Sequence, residues 1–384
     1  MVLNQAKRRL AVAGAFALAA VLCMLLFSGC ASETHDAPQD TKNARQSATK
    51  TVTDMVGRSV EVPTSVEKII GIGSSSLRLI SYLQATDKVV GVEKSELEDK
   101  TTCSYRHVYH ETFSELPVIG EGGAKGVTPN EEAIAKAAPQ VIFANIDKDA
   151  ANSLQEKIGI PVVCLTLSNL VFDQIFYDNT KLVGDIVDKQ DRAHEIVRYM
   201  QDTEKDLKNR TSPIVGPAIK SAYAAGISFR GSHGFAGTEA NFPPFQAANV
   251  SNIVDTNGAS GAFDIDIEKV VTAQPDYIFV ESGALSLIKD DYNNNPDYFA
   301  SLKAVQNKNT YTLIAYRFYA TNIELALANC YQVGAVVYPD QFKDIKPTEK
   351  LDEITEFFLG KKLSNDLAKE GCEFKQIDFT NLPA

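Results

Sequence analysis

The chain has 384 residues, 44% of them apolar, with 49 acidic against 38 basic side chains and a formal net charge of −11. Its length exceeds the ~250–300 residues over which a single hydrophobic core normally grows, so two lobes are expected. An acidic chain argues against nucleic acid or anionic lipid as a general partner, while leaving room for a local basic pocket.

The N-terminus reads as a targeting leader and stays out of the fold: Lys7, Arg8 and Arg9 precede an apolar run from Leu10 to Phe27. That run ends in Phe27-Ser28-Gly29-Cys30, which resembles the lipobox of bacterial lipoproteins, with Phe27 where leucine is usual. The resemblance implies a signal peptide over 1–29, lipidation of Cys30 and a chain anchored to the membrane through its N-terminal lipid. A plain membrane anchor is the alternative, and it too leaves the rest of the chain extracytoplasmic. Residues 30–52 are rich in Ser, Thr, Asp, Gln and Lys, and are expected to form a flexible tether. Beyond it, Cys103, Cys164, Cys330 and Cys372 form no CxxC, and could pair in three ways or not at all.

Lys68–Ile72 has the pattern of a buried strand, Gly73–Ser76 of a turn, Leu77–Leu83 of a helix and Lys88–Val92 of a second strand. Val118-Ile119, Val141–Ala144 and Val162–Leu165 are further strand candidates. This alternation predicts a mostly parallel sheet covered on both faces. From Lys189 to about Arg210 no Gly or Pro intervenes, and Ala193, Ile196, Val197, Met200 and Leu207 fall near one helical face. Such a helix, ~33 Å long, could run from one lobe into the next. Strands at Lys220–Ala225 and Thr310–Ala315 follow, then a helix after Thr321, where Thr321 and Glu324 have capping-box spacing. The expected divisions are an N-terminal lobe over 53–188, a connecting helix over 189–212 and a C-terminal lobe over 213–384.

One segment occurs twice. Glu132, Ile134, Ala137, Pro139, Ile142 and Phe143 recur in spacing as Glu268, Val270, Ala273, Pro275, Ile278 and Phe279. Each copy reads as a short helix stopped near a proline and followed by a buried strand. The fold class expected is α/β: two Rossmann-like lobes with mostly parallel sheets, joined by one long helix, with a ligand cleft between them. An acid at a helix start is stabilised by about 0.3–1 kcal/mol through the helix dipole alone. Its repetition in both lobes suits two matched docking points better than one catalytic centre.

The segment Val56-Gly57-Arg58, the run Leu77-Arg78-Leu79-Ile80 with Tyr82-Leu83, and Val89–Glu93 resemble the opening of an ABC-importer solute-binding protein of the iron-complex and vitamin B12 group. Leu116–Gly120, the two repeated segments, Tyr316–Glu324 and Tyr338–Asp344 fit the same pattern, over nearly the whole chain after Val52. The resemblance implies a protein that is not an enzyme, whose partners are an ABC permease dimer with its ATPase subunits. It also implies that Glu132 and Glu268 dock the permease, with Glu131 and Asp266 as substitutes.

Cleft walls in such a fold come from strand-to-helix loops. Arg78, Arg106, Arg230 and Arg317 fall in or beside such loops, accompanied by Tyr105, Tyr316 and Tyr319. Arginine forks grip anionic oxygens and aromatic faces cover apolar parts of a chelate, so an iron(III)-chelate of siderophore type is the expected ligand. His233, in a Gly-Ser-His-Gly turn, is a further candidate that could hydrogen-bond a chelator or ligate haem. Cobalamin is an alternative on family grounds, although the chain has no tryptophan. Direct metal binding is another, through Cys103, His107 and His110 or the phenolates of Tyr105, Tyr316 and Tyr319. A surface hydrolase is the distant alternative; neither GxSxG nor GxxxxGK[ST] occurs.

Overall fold

The computed structural model describes residues 48–123, 126–167, 170–255 and 259–382. The leader, Cys30 and the tether up to residue 47 therefore lie outside the described residues. The tether was expected to run to residue 52, but β1 (Thr49–Thr53) already pairs antiparallel with β2 (Ser59–Pro63). Along β1 threonines alternate with Lys50 and Val52, which suits a pleated, half-buried surface, and Val52, Val60 and Val62 face inward. Arg58 ties this hairpin to the sheet below, donating to Asp54, Asn152, Gln155 and the Val162 carbonyl.

β3 (Ile69–Ile72), β4 (Val141–Ala144) and β5 (Val162–Cys164) form a parallel sheet in that order. All their residues are buried, so each reads as a continuous apolar run. The strands expected at 88–92 and 118–119 shrink to single parallel bridges, Ile69 with Val89 and Val92 with Val118. Pro117 has no N–H for a ladder, and Gly91 lies so close to Ile119 that a Cβ would meet its side chain at 2.6 Å.

The second lobe holds β6 (Ser221–Ala225), β7 (Gly237–Ala240), β8 (Ser251–Asn252), β9 (Gly261–Asp264), β10 (Tyr277–Glu281) and β11 (Thr310–Leu313). Its main sheet is parallel in the order β11-β10-β6-β8, and β7 pairs antiparallel with β9. The outer edge of β11 is covered by the C-terminal segment: Thr312 N–H donates to Lys375 O and Ile377 N–H to Thr310 O.

The two copies of the repeat fold alike. Helix Glu131–Ala137 ends on Ala138 at φ +49°, and helix Glu268–Ala273 on Gln274 at φ +46°. Each left-handed residue stops its helix, the following proline prevents continuation, and the chain enters β4 or β10.

Pleating divides the core. Ile70, Ile142 and Val162 belong to one apolar cluster confined to the first lobe, and Tyr223, Ile278 and Val280 to one confined to the second. Their neighbours Ile69, Phe143, Val163, Ala222, Phe279 and Leu313 all join a single cluster running through both lobes. The helix Gln190–Thr211, 22 residues long, buries the predicted stripe in that shared cluster. Tyr199 on it stacks on Phe357 at 4.0 Å, and Tyr82 of the first lobe meets Phe358 edge-on at 5.0 Å. The lobes are thus joined by packed side chains as well as by chain, which favours small closure movements over a wide hinge.

One expectation needs correction. The helix Ile323–Val337 has no capping box: Asn322 is its cap residue without a side-chain bond, and the Glu324 carboxylate instead accepts from the Tyr82 hydroxyl across the lobes. Full burial of Glu324 demands a partner, and Tyr82 supplies one. Cys103, Cys164, Cys330 and Cys372 are all buried free thiols. Among the described residues no helix is long and apolar enough to cross a membrane.

Candidate ligand-binding cleft

Because both main sheets are parallel, the loops after β3, β6, β10 and β11 emerge at the carboxyl ends of their strands, where ligands meet α/β folds. The loop after β11 crosses to the first lobe as a strap over residues 316–322. Arg317 and Thr321 bridge across it, and its tip places Tyr319 at φ +51° and Ala320 at φ +69°. Non-glycine residues held there cost on the order of 1–3 kcal/mol each, so surrounding contacts must fix them.

Those contacts come from both sides. Asn322 Nδ2 donates to the Tyr316 and Phe318 carbonyls. Arg78, within the helix Ser76–Tyr82, donates to Phe318 O at 3.1 Å and Tyr319 O at 2.7 Å, and to Ser75 Oγ at 2.8 Å. The Tyr319 hydroxyl donates to Glu93 Oε2 at 3.0 Å and accepts from Gly123 N–H at 3.2 Å. The Arg106 guanidinium lies 4.4 Å from the centre of the Tyr319 ring.

Arg106 and Tyr105, expected in or beside a loop, lie in the first turn of the helix Ser104–Ser114. Arg106 Nε donates to Glu96 Oε2 at 2.7 Å, and the Tyr105 hydroxyl donates to the same oxygen at 2.6 Å. The structure therefore gathers Arg78, Tyr105, Arg106 and Tyr319 into one cluster. Arg78, Tyr105 and Arg106 are buried, and their polar groups are engaged mainly with the protein itself.

A second group faces open space. A cavity of about 310 Å³ between the lobes is lined by Lys100 from the first lobe and by Phe229, Arg230, Arg317 and Phe318 from the second. Lys100 Nζ sits 3.9 Å from the Phe318 ring centre. Arg230 is exposed, in a turn at φ +51°. Arg317 is half-buried, donating to Glu239 and, at 3.3 Å, to the Tyr316 hydroxyl. Tyr316 itself is buried behind it. Sequence reasoning missed Lys100: its stretch, Glu98-Asp99-Lys100-Thr101-Thr102, reads only as polar loop. A smaller cavity of about 50 Å³ adjoins the strap, lined by Ser74, Arg78, Asn145, Phe176 and Thr321 among others.

His233 lies behind the cleft wall. Its ring stacks on Phe229 at 3.7 Å, Nε2–H donates to Phe229 O at 2.9 Å, and Nδ1 is 2.9 Å from Asp264 Oδ1. Both nitrogens are engaged in fixing the 229–233 turn. His107 lies between Asp99 and Asp366, at 2.8 and 3.2 Å. Among the described residues no three His, Cys, Asp or Glu side chains are placed to share a metal ion.

Glu132 and Glu268 are exposed in the first turns of their short helices, and neither forms an ion pair among the described residues. Helices that precede parallel strands run against them, so both starts lie at the carboxyl edge of their sheets.

Burial raises the cleft acids. Glu93 and Glu239 are each pushed up to about 7, although Gly73 N–H and Arg317 respectively pull them down. Folded pKa values above the ordinary glutamate value of 4.5 mean that the native state holds protons the unfolded chain releases. This contribution is full below about pH 4.5 and is lost as pH rises through about 7, at up to about 1.4 kcal/mol per pH unit for each group. Urea denaturation midpoints are expected to fall across that window, and Glu93→Gln should flatten the decline. An unchanged slope in that variant would contradict the assignment to Glu93.

A family profile described as periplasmic binding protein matches residues 69–316. An uncharacterised ABC-transporter substrate-binding lipoprotein of Bacillus subtilis (strain 168), YvrC, is 20% identical over 219 residues, 56% of this chain; the chain spans 63% of that protein's length. Among solved structures, a periplasmic solute-binding protein from Veillonella parvula DSM 2008 superposes with a TM-score of 0.67 at 18% identity, covering 85% of this chain and 97% of that one. The molybdate-binding protein MolA of Haemophilus influenzae, solved with molybdate, gives 0.62 at 16% identity, covering 82% and 98%.

Proposed function

The chain belongs to the periplasmic binding protein family, and from that premise we propose that it is the extracytoplasmic, lipid-anchored solute-binding component of an ABC importer. It captures an anionic iron(III) chelate between its lobes and hands it to a membrane permease without altering it. The observation that carries this reading is the cavity between the lobes, where three cations, Lys100, Arg230 and Arg317, share the wall with Phe229, Phe318 and a single acid, Glu370. Cations offset the charge of a chelate, and the rings cover its apolar surface. MolA, which shares the fold, holds an oxyanion. A cavity of about 310 Å³ is roomier than a lone tetrahedral oxyanion needs, and its aromatic walls suit an organic shell better.

Titrating the protein with iron(III) 2,3-dihydroxybenzoate while following tyrosine emission should give saturable quenching and unchanged ligand. Arg230→Ala should weaken that binding about tenfold or more with an unaltered melting temperature, because Arg230 is exposed. Arg317→Ala is less clean, since it strands Glu239 in a buried position. Turnover of the chelate would argue for an enzyme, and undiminished affinity in Arg230→Ala would remove that residue from the site.

A further inference from the structure

We propose that the cavity between the lobes takes up a proton with each anion it captures, and that the buried acids Glu239 and Glu281, behind Arg317, receive it. This deepens the reading of that cavity as an anion site and rests on it.

Arg317 belongs to two environments. It lines the cavity beside Lys100 and Arg230, and its Nη2–H donates to Glu239 Oε1. Glu239 is 5% exposed and Glu281 1%, so water does little to screen either. Both acids nonetheless adjoin the cavity wall: Glu239 through Arg317, and Glu281 through the N–H of Ser228, which donates to its Oε2 at 2.7 Å. The other charged or titratable groups near them are Tyr316 in the strap and Asp255 after β8. On the cavity side stand Lys100, Arg230, Glu370 and Cys372.

Two acids thus crowd one guanidinium, and neither is fully answered. Glu239 Oε2 and Glu281 Oε1 have no hydrogen-bond partner among the described residues. An anion that settles on Arg317 from the cavity becomes a third negative group around the same cation. Like charges held together in a site closed to water cannot all stay ionised, so one acid takes up a proton. The unpartnered oxygens can hold it without breaking the contact of Arg317 with Glu239 Oε1 or of Ser228 with Glu281 Oε2. Burial already pushes Glu239 up to about 7 against the pull of Arg317, and Glu281 adds to the rise. Burial raises Glu281 as well, so the two titrate as a coupled pair. Anion affinity should therefore be highest below about pH 7 and decline above it, by at most about tenfold per pH unit for one proton.

Isothermal titration calorimetry at about pH 7.5, in buffers of different ionisation enthalpy, counts the protons exchanged on binding. The probes are iron(III) 2,3-dihydroxybenzoate and molybdate, a small oxyanion that does not titrate near neutral pH. With either probe, wild type should take up about half to one proton more per anion than the double variant Glu239→Gln with Glu281→Gln. Protons exchanged by the chelate itself cancel in that difference, and glutamine keeps both acceptor contacts. Glu239→Gln alone should bind the probe about tenfold more tightly than wild type at about pH 8.5, and within about twofold of it at about pH 6.5. A misfolded variant could not produce that gain. Equal proton uptake by wild type and double variant, or no gain in Glu239→Gln, overturns the proposal. If the chelate binds without the proton difference, the chelate reading stands and this inference falls. If molybdate binds with the difference and the chelate does not bind, the inference stands and the chelate reading falls. If neither probe binds, both fall.

Discussion

A double variant, Glu132→Arg with Glu268→Arg, is expected to abolish import while leaving ligand affinity intact. Both acids are exposed at equivalent helix starts and form no ion pair among the described residues, so their replacement disturbs no core. The stability cost is confined to the helix dipole, about 0.3–1 kcal/mol per site. Against a permease surface that receives an acid with a cation, each reversal places like charges together, at several kcal/mol apiece. Uptake should therefore fall at least a hundredfold in the double variant, with single variants between. Uptake of labelled iron(III) chelate by cells carrying only the variant measures the first quantity, and tyrosine quenching on purified protein the second. Normal uptake, or lost affinity, would separate these acids from the docking role.

Stability should respond most to Arg106. Its guanidinium and the Glu96 carboxylate are both about 1% exposed, and the Tyr105 hydroxyl shares the same carboxylate oxygen. Arg106→Met leaves Glu96 as an uncompensated buried charge, a change worth about 3–5 kcal/mol. Adding Glu96→Gln removes that charge and should restore a large part of the loss. Urea unfolding of the two variants, at constant denaturant dependence, measures both steps. If the double variant is no more stable than Arg106→Met, the charge argument fails and lost packing is the cause.

Local pattern made the scaffold legible. The Glu–Pro repeat, the fully buried strands and the uninterrupted stretch now seen as Gln190–Thr211 each carry their signal within a few turns of chain. The helix Ser104–Ser114 was not legible, because its buried residues include Ser104 and Arg106, whose burial depends on partners elsewhere. The candidate site was read as one set of arginines and aromatics, yet it divides in two. Arg78, Tyr105 and Arg106 turn inward because Glu96 and the strap carbonyls receive them, whereas Arg230 and Arg317 line open space. His233 is committed to the turn by Asp264, thirty-one positions further on, a pairing that spacing alone cannot announce. Lys100 had no signal at all.

The cover over β11 has a consequence for how the molecule keeps to itself. A parallel sheet with a bare outer strand offers a row of unpaired amides to any neighbouring chain. Here residues 375–377 already answer Thr310 and Thr312, so this flank is spent within one molecule. Crowded side by side on a surface, copies of the protein would find no free strand there on which to zip into aggregates.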